Sequence, residues 1–417
     1  FADMVAFIDR QILSLLVQPI KRDLGVTDTQ IGLLAGFAFA IFYSVLGVPI
    51  ARLADRTNRK YLISVGVFLW SVMTAACGMT KSYWQLFLAR VGVGVGEATL
   101  SPAAYSMMAD YFPPNKLARA IGVYAMGLYI GAGVALLTGS AVVSLVSDAG
   151  AVEYPIVGQL YPWQLTFFIV ALPGLLVLAL LATVKEPPRR GVADTSLAAP
   201  KSVPVAEILQ FLRTNRRMVI AHLMGFLSLG TVISAYLIWV PEFLRRTYDF
   251  SVPEAGAIYG LCLLFFGGAG PYVGGWFAEL LSRKGYRDAE MRASMLLGSA
   301  MIPCAVLAPL APDRVSAIVM LAVVTFFLSS PQGLAPTIIQ LMAPNRMRAQ
   351  VTALFMLIAV LAGFSAGPYF VAFFTDYMFG DESAIRYSLS IVSAILTPIG
   401  VLCLWWGMKP FAERRIE

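Results

Sequence analysis

The chain has 417 residues, of which 59% are hydrophobic and only 13% charged, with a mean hydropathy of +0.75 and a net charge of +7. Soluble globular domains carry about 25% charged residues, so half that fraction leaves too little polar surface for a water-exposed body, and a bilayer is the natural solvent. The positive charge does not mark a nucleic-acid binder, because the Lys and Arg residues sit in short loops between apolar runs.

A membrane-crossing helix needs about 20 apolar residues. Residues 1–20 form the first such run and carry Asp9 and Arg10 at membrane depth. The chain begins at Phe1 rather than Met, so its natural start is expected to be missing and no leader can be read from it. The second run, 29–51, leads into a charged loop, Asp55-Arg56-Thr57-Asn58-Arg59-Lys60. The third covers 61–79. The fourth, 83–110, holds Arg90 and Glu97 among Gly92, Gly94 and Gly96. A turn at Pro114-Asn115-Lys116, with Arg119 just beyond it, opens the fifth run, 118–145, which contains Tyr129. The sixth is 162–184.

Residues 185–217 then form the longest polar connection, with Val205, Ile208, Leu209 and Leu212 at helical spacing, which predicts a short amphipathic helix on the membrane face. The seventh run, 218–244, contains His222, Tyr236 and Trp239, and the eighth, 253–281, ends near Glu279. The ninth is 292–311. The tenth, 315–342, is interrupted by Ser329, Ser330 and Gln332, and Pro344-Asn345-Arg346 follows it. Runs 349–375 and 384–408 complete the set.

With the first helix directed outward, about 22 Lys and Arg residues fall in inner loops and about 7 in outer loops. That bias predicts twelve crossings with both termini inside. The Pro-Asn-base turn after the fourth run reappears after the tenth, and Asp55 after the second has a counterpart in Glu279 after the eighth. Two signatures in the same order indicate a parallel duplication. The expected fold is therefore all-α and integral to the membrane: twelve helices in two parallel-repeat six-helix bundles, 1–184 and 218–417, joined by a cytoplasmic linker, 185–217.

The residues carry a family resemblance. The run Asp55-Arg56-Thr57-Asn58-Arg59-Lys60 resembles the loop signature after the second helix of the major facilitator superfamily, with Ala51 and Asn58 where glycines are usual. Together with Ile8-Asp9-Arg10-Gln11-Ile12-Leu13-Ser14 and Gly94-Val95-Gly96-Glu97-Ala98, that Asn variant is similar to the Spinster branch. The resemblance implies a secondary transporter working by alternating access. Animal members of that branch are linked to sphingosine 1-phosphate and lysophospholipids, and a short chain with few loops looks like a bacterial member, residing in the inner membrane. Leu128 stands where the antiporter signature of the fifth helix has a proline after Gly127; Gly367-Pro368 in the eleventh run has that step instead.

Four ionisable residues, Asp9, Arg10, Arg90 and Glu97, lie deep in apolar helices. Such groups are costly in a membrane and need an interior and partners. Arg90 and Glu97 are two helical turns apart on one face, with Asp9 and Arg10 at depths between them. A carboxylate alternating between an Arg and an open cavity can bind and release a proton, so these four are the expected proton-coupling and head-group cluster. The alternative is a static network that fixes helix packing. Asp55, Arg56, Arg59, Lys60, Arg119 and Glu279 are the gate candidates. By the resemblance, Asp55 would latch onto the start of the eleventh helix near Ala349, whereas Arg59 and Lys60 read more simply as topology-setting charges.

Tyr129, Tyr236, Trp239, Ser329, Ser330 and Gln332 are candidate substrate contacts, each more often a packing residue than a ligand contact. Phe265, Phe266, Phe326, Phe327 and Phe355 could give the second half an apolar wall, which suits an amphiphile bound head-first to the charged half. His222, close to the inner end of the seventh run, reads as structural or interfacial. The four cysteines, Cys77, Cys262, Cys304 and Cys403, all lie in apolar runs with no metal-ligand spacing. No metal, cofactor or nucleic-acid partner is expected, nor an enzyme, since no nucleophile–base pair appears. The expectation is a monomer that moves an anionic amphiphile with protons among membrane lipids. The alternatives are an organic-anion or hydrophobic-drug carrier of the same fold, or a passive lipid scramblase.

Overall fold

A computed structural model describes residues 2–38, 45–46, 49–50, 53, 57–100, 103–104, 107, 111, 114–146, 152–154, 158–187, 205–344 and 348–414. Nine helices among these are long and apolar enough to cross a membrane, and they account for spans three and five to twelve. Spans two and four extend beyond the described residues. Span one is two helices, Ala2–Leu15 and Val17–Leu24. The break has a local cause: Pro19 has no amide to donate and its ring clashes with the carbonyl of Leu15, four residues back.

Helix starts follow their caps. Asn58 accepts from the Tyr61 amide to begin span three, Arg59–Cys77, and Ser82 accepts from Gln85 to begin Tyr83–Glu97 of span four. Thr27 with Gln30 and Ser251 with Glu254 form capping boxes that open span two (Asp28–Ala35) and span eight. Span five runs Pro114–Val146 and span six Pro162–Thr183. Between them lies an antiparallel pair of three-residue strands, Val152–Tyr154 and Gly158–Leu160, the only strands among the described residues. The amphipathic helix of the long connection is Val205–Thr214.

Prolines shape the second-half spans. Span eight comprises Val252–Cys262, a π turn Leu263–Gly267 and Gly268–Arg283; span eleven comprises Arg348–Ile358, a π turn Ala359–Phe364, Ser365–Phe373 and a second π turn, Phe374–Phe379. The first π turn in each ends four residues before a proline, Pro271 or Pro368, where the helical hydrogen bond is lost. Span ten is not one continuous helix: Pro331 and Gly333 divide it into Arg314–Ser329 and Leu334–Met342. Spans seven, nine and twelve are Arg216–Tyr248, Ala289–Leu307 and Ile385–Arg414.

The chain divides into two compact units. The first comprises Phe1–Gly191, Leu237–Leu264 and Val371–Ile385, and thus includes one end of spans seven, eight and eleven. Its helices meet through small residues, as lipid-embedded helices do. A Cβ on Gly96 would fall 2.7 Å from the Trp70 amide nitrogen, and one on Gly133 would fall 2.7 Å from the Gly260 carbonyl. The second unit comprises Val192–Tyr236, Phe265–Phe370 and Arg386–Glu417. It uses the same device: a Cβ on Gly274 would lie 2.1 Å from the Ser330 carbonyl, and one on Gly367 would lie 2.1 Å from that of Thr231.

Candidate functional site

The four buried charges meet within the first unit. Arg10, on the first helix of span one, directs both Nε and Nη2 at one oxygen, Oε2, of Glu97 on span four. The Glu97 side chain is sealed, whereas that of Arg10 is 25% exposed and stacks over the Phe7 ring at 4.9 Å. Arg90, two turns before Glu97, reaches across at the level of Asp9 and donates from Nη1 to the Asp9 carbonyl at 2.8 Å. Asp9 and Arg90 are both about 1% exposed. Two separate cross-helix contacts thus join spans one and four, Arg10 with Glu97 and Arg90 with the Asp9 backbone.

The cluster is balanced in charge but incompletely bonded. Asp9 Oδ1, Glu97 Oε1 and Arg90 Nε are buried and have no hydrogen-bond partner among the described residues. Buried polar atoms are satisfied in the great majority of cases, and leaving one unmade costs about 1–3 kcal/mol. Three such atoms in one cluster mark a place where a proton, water or ligand can be accommodated at low cost. Thr74 and Cys77 of span three stand beside Asp9 and Arg90, and the sequence alone did not single them out.

Of the gate candidates, Asp55 and Arg56 lie outside the described residues. Arg59 is the first residue of the span-three helix and is 1% exposed, so it is not a solvated loop charge. Glu186, just past span six, explains its burial. That carboxylate accepts from Arg59 Nε at 2.8 Å and from the Lys60 amide at 2.9 Å, while Arg59 Nη2 donates to the Pro187 carbonyl at 3.2 Å. Glu186 therefore caps the N-terminus of span three, where the helix dipole favours an anion. Burial pushes its carboxyl up, but the Arg59 bond and the two backbone amides outweigh that and hold it below the ordinary glutamate range. Lys60 donates to the Ala182 carbonyl at 2.9 Å, strengthening the same tie between spans three and six. Arg119 lies on the helix of span five. Glu279 makes an exposed one-turn pair with Arg283 at 2.5 Å, an arrangement of little energetic weight.

The softer candidates are packed between helices. Tyr129 is buried, and Tyr236 donates to the Ala305 carbonyl at 2.5 Å. Trp239 is fully buried, with the Arg246 guanidinium 5.8 Å from its ring. Ser329 and Ser330 bond back to the Phe326 carbonyl at 3.0 and 2.6 Å and fill the space left by Gly270 and Gly274. Gln332 lies in the break of span ten, and its buried Nε2 has no partner among the described residues. Phe265 and Phe266 are exposed, while Phe355 is buried against His222. His222 sits between the rings of Phe226 and Phe355, 4.9 and 4.7 Å from them, in an apolar sandwich.

A predominantly helical membrane chain with duplicated loop signatures and a buried charge cluster defines a transporter of solutes rather than an enzyme. Residues 1–368 match the Major Facilitator Superfamily, and the chain belongs to that family of multi-pass membrane transporters. Within it, the chain falls in the Spinster branch. It superposes with TM-score 0.79 and 27% identity, over 100% of its length and 96% of the other chain, on a bacterial homologue of the human lysosomal transporter Spinster. It is 26% identical over 392 residues (90% of this chain, 74% of the relative) to the sphingosine-1-phosphate transporter of Danio rerio. An MFS-type efflux pump of Mycolicibacterium smegmatis is 29% identical over 418 residues, covering 99% of this chain and 91% of that protein.

Proposed function

We propose that the protein is a proton-coupled carrier for an anionic, lipid-like amphiphile of the sphingoid phosphate or lysophospholipid type. It would act as a monomer in a bacterial inner membrane with both termini in the cytoplasm, its two bundles (1–184 and 218–417) alternating access around the linker 185–217. The observation that carries the reading is the asymmetry of the Arg10–Glu97 pair: the cation is partly open and the acid is sealed behind it. An anionic head group arriving at Arg10 competes with Glu97 for the guanidinium. A carboxylate that loses its counter-ion in a desolvated site is stabilised by taking up a proton. Anion binding and proton binding are thereby favourable to one another. When the proton leaves, Glu97 reclaims Arg10 and displaces the head group. Arg90 holds the backbone at Asp9, and the unpartnered Asp9 oxygen is the second proton acceptor. Asp55 would act as the inner latch, against the start of span eleven.

The likeness to a sphingosine-1-phosphate transporter supports the lipid class. A second reading, export of hydrophobic drugs, is favoured by the efflux pump among the relatives. One experiment separates them. Lipids retained by the purified protein are identified by mass spectrometry, and their flux in liposomes is measured with and without a pH gradient. The proposal expects a lysolipid or sphingoid phosphate whose flux the gradient drives and which Glu97→Gln uncouples. Drug flux without lipid flux supports the second reading. Lipid flux indifferent to pH, and to Asp9 and Glu97, means passive scrambling instead.

A further inference from the structure

A second charged cluster lies in the first unit, at the helix ends that the loop-charge bias assigns to the outside. Its hub is Arg246, near the end of span seven, whose side chain is only 4% exposed. Arg246 Nη2 donates to Asp28 at the start of span two at 2.9 Å, and its Nε donates to Glu242, one turn earlier, at 2.5 Å. Asp28 is fully buried and also accepts from Lys21 Nζ at 2.6 Å. Glu242 accepts from Gln18 Nε2 at 2.7 Å and from Arg245 Nη2 at 3.1 Å. Glu382, just before span twelve, accepts from Lys21 at 2.5 Å and from Gln18 at 3.0 Å. Nearby, Asp376 at the end of span eleven accepts from both the amide and the hydroxyl of Thr29 at 2.6 Å. Three cations (Lys21, Arg245, Arg246) thus face three anions (Asp28, Glu242, Glu382). None of the polar side-chain atoms of these six residues is among the buried unpartnered ones.

The geometry points to a lock: the Arg246–Asp28–Lys21–Glu382 and Arg246–Glu242–Gln18 bonds clamp the outer ends of spans seven and twelve onto those of spans one and two. This rests on the transporter class and on the charge-based orientation, but not on the identity of substrate or coupling ion. Spans one and two belong to the first repeat, and spans seven and twelve to the second. A carrier that alternates access must separate these ends once in each cycle, and the Arg246–Asp28, Lys21–Glu382, Gln18–Glu242 and Gln18–Glu382 bonds all cross the surface that has to open. The small residues below the cluster allow both closure and release. Gly133 and Gly260 bring spans five and eight into backbone contact, and Gly256 sits against Ser140 and Leu15. Such a seam is held by close packing without interlocking side chains, so the charged cluster above it carries the specificity of closure. The π turn Leu263–Gly267 sets the outer segment of span eight apart from its inner part and supplies a joint.

The lock is tested by distance measurement between spin labels at Lys81→Cys and Met378→Cys, both exposed and both in the first unit, at the outer ends of spans four and eleven, with the four native cysteines replaced. In the parent background, one short separation dominates. Arg246→Gln and Asp28→Asn are each expected to raise the long-separation population at least tenfold. Their combination should add little to either alone, because the two share one bond. Arg245→Gln, at the rim, is expected to change the population about twofold or less. If Arg246→Gln is not monodisperse, Asp28→Asn and Gln18→Ala carry the same test. Unchanged separations in monodisperse Asp28→Asn and Gln18→Ala proteins would overturn the lock. The substrate proposal would be untouched, since the measurement uses neither substrate nor a pH gradient.

Discussion

Two charged clusters, one midway along the helices of spans one and four and one at the helix ends that the loop-charge bias assigns to the outside, are built from the same residue types in opposite ways. The outer cluster saturates its bonding: Asp28, Glu242 and Glu382 each accept from two or more donors. The inner one leaves Asp9 Oδ1, Glu97 Oε1 and Arg90 Nε without partners among the described residues and has one arginine partly open. A fully satisfied network rigidifies the structure around it, while a partly satisfied one retains capacity for a further ligand. Asp28, Arg246 and Glu242 are nearly as buried as Asp9, Arg90 and Glu97, so burial alone does not distinguish them; bonding completeness separates the proposed clamp from the proposed binding site.

That contrast can be broken by mutation. The largest effect is expected from Arg10→Gln, which removes the cation from both the head group and Glu97. Anionic substrate flux should fall by two orders of magnitude or more, and stripping a buried carboxylate of its partner should cost about 3–5 kcal/mol of stability. Thermal unfolding in detergent checks the second part, and the double variant Arg10→Gln/Glu97→Gln should recover stability without recovering transport. Glu186→Gln comes next. It removes the charge that meets buried Arg59 and caps span three, so a loss of about 1–3 kcal/mol is expected in the same unfolding assay. Sensitivity equal to that of a surface charge would refute the buried tie.

The outer cluster also has a pH signature. Burial pushes the Glu382 carboxyl up, but Lys21, Gln18 and Arg246 outweigh it and hold it below the ordinary glutamate range. A depressed folded value means that the stabilisation is complete above the unfolded value, about 4, and is lost as pH falls through the lower folded value. Outer closure, followed by the spin-label distances, should therefore be flat from pH 8 to about pH 5 and weaken only in strong acid. Opening near pH 6 would show that another group controls it. The smallest effect is expected from Ser329→Ala. Its hydroxyl serves the Phe326 carbonyl and the Gly270 contact, so the apparent substrate affinity should stay within about twofold.

Much of this was legible in the sequence because it rests on local signals. Runs of about 20 apolar residues give the spans, and the Lys/Arg bias gives the expected orientation. The seven-residue step from Arg90 to Glu97 sets both on one face, and helical rise places Asp9 and Arg10 between them. What stayed hidden depends on contacts across the chain. Lys21, Arg245 and Arg246 look like ordinary outer-loop cations, and nothing local says that Arg246 meets Asp28, 218 positions earlier. Arg59 looked like a topology signal because its burial depends on Glu186, 127 positions away. Ser329 and Ser330 stood out as polar interruptions, yet hydroxyls that bond back one turn and face glycines do the same in any packed helix pair. The proline breaks were visible as residues, but the π turns they end follow from counting four positions back from Pro271 and Pro368.

The central claim is that Arg10 is shared between Glu97 and the anionic substrate, so that head group and proton bind together. The most direct test is proton uptake on substrate addition, recorded in weakly buffered detergent solution with a pH dye, for the parent protein and Glu97→Gln. The account predicts uptake of a proton by the parent when a lysolipid or sphingoid phosphate binds, and its loss in Glu97→Gln with binding retained. Substrate binding with no proton uptake by the parent, or equal uptake by Glu97→Gln, would contradict it.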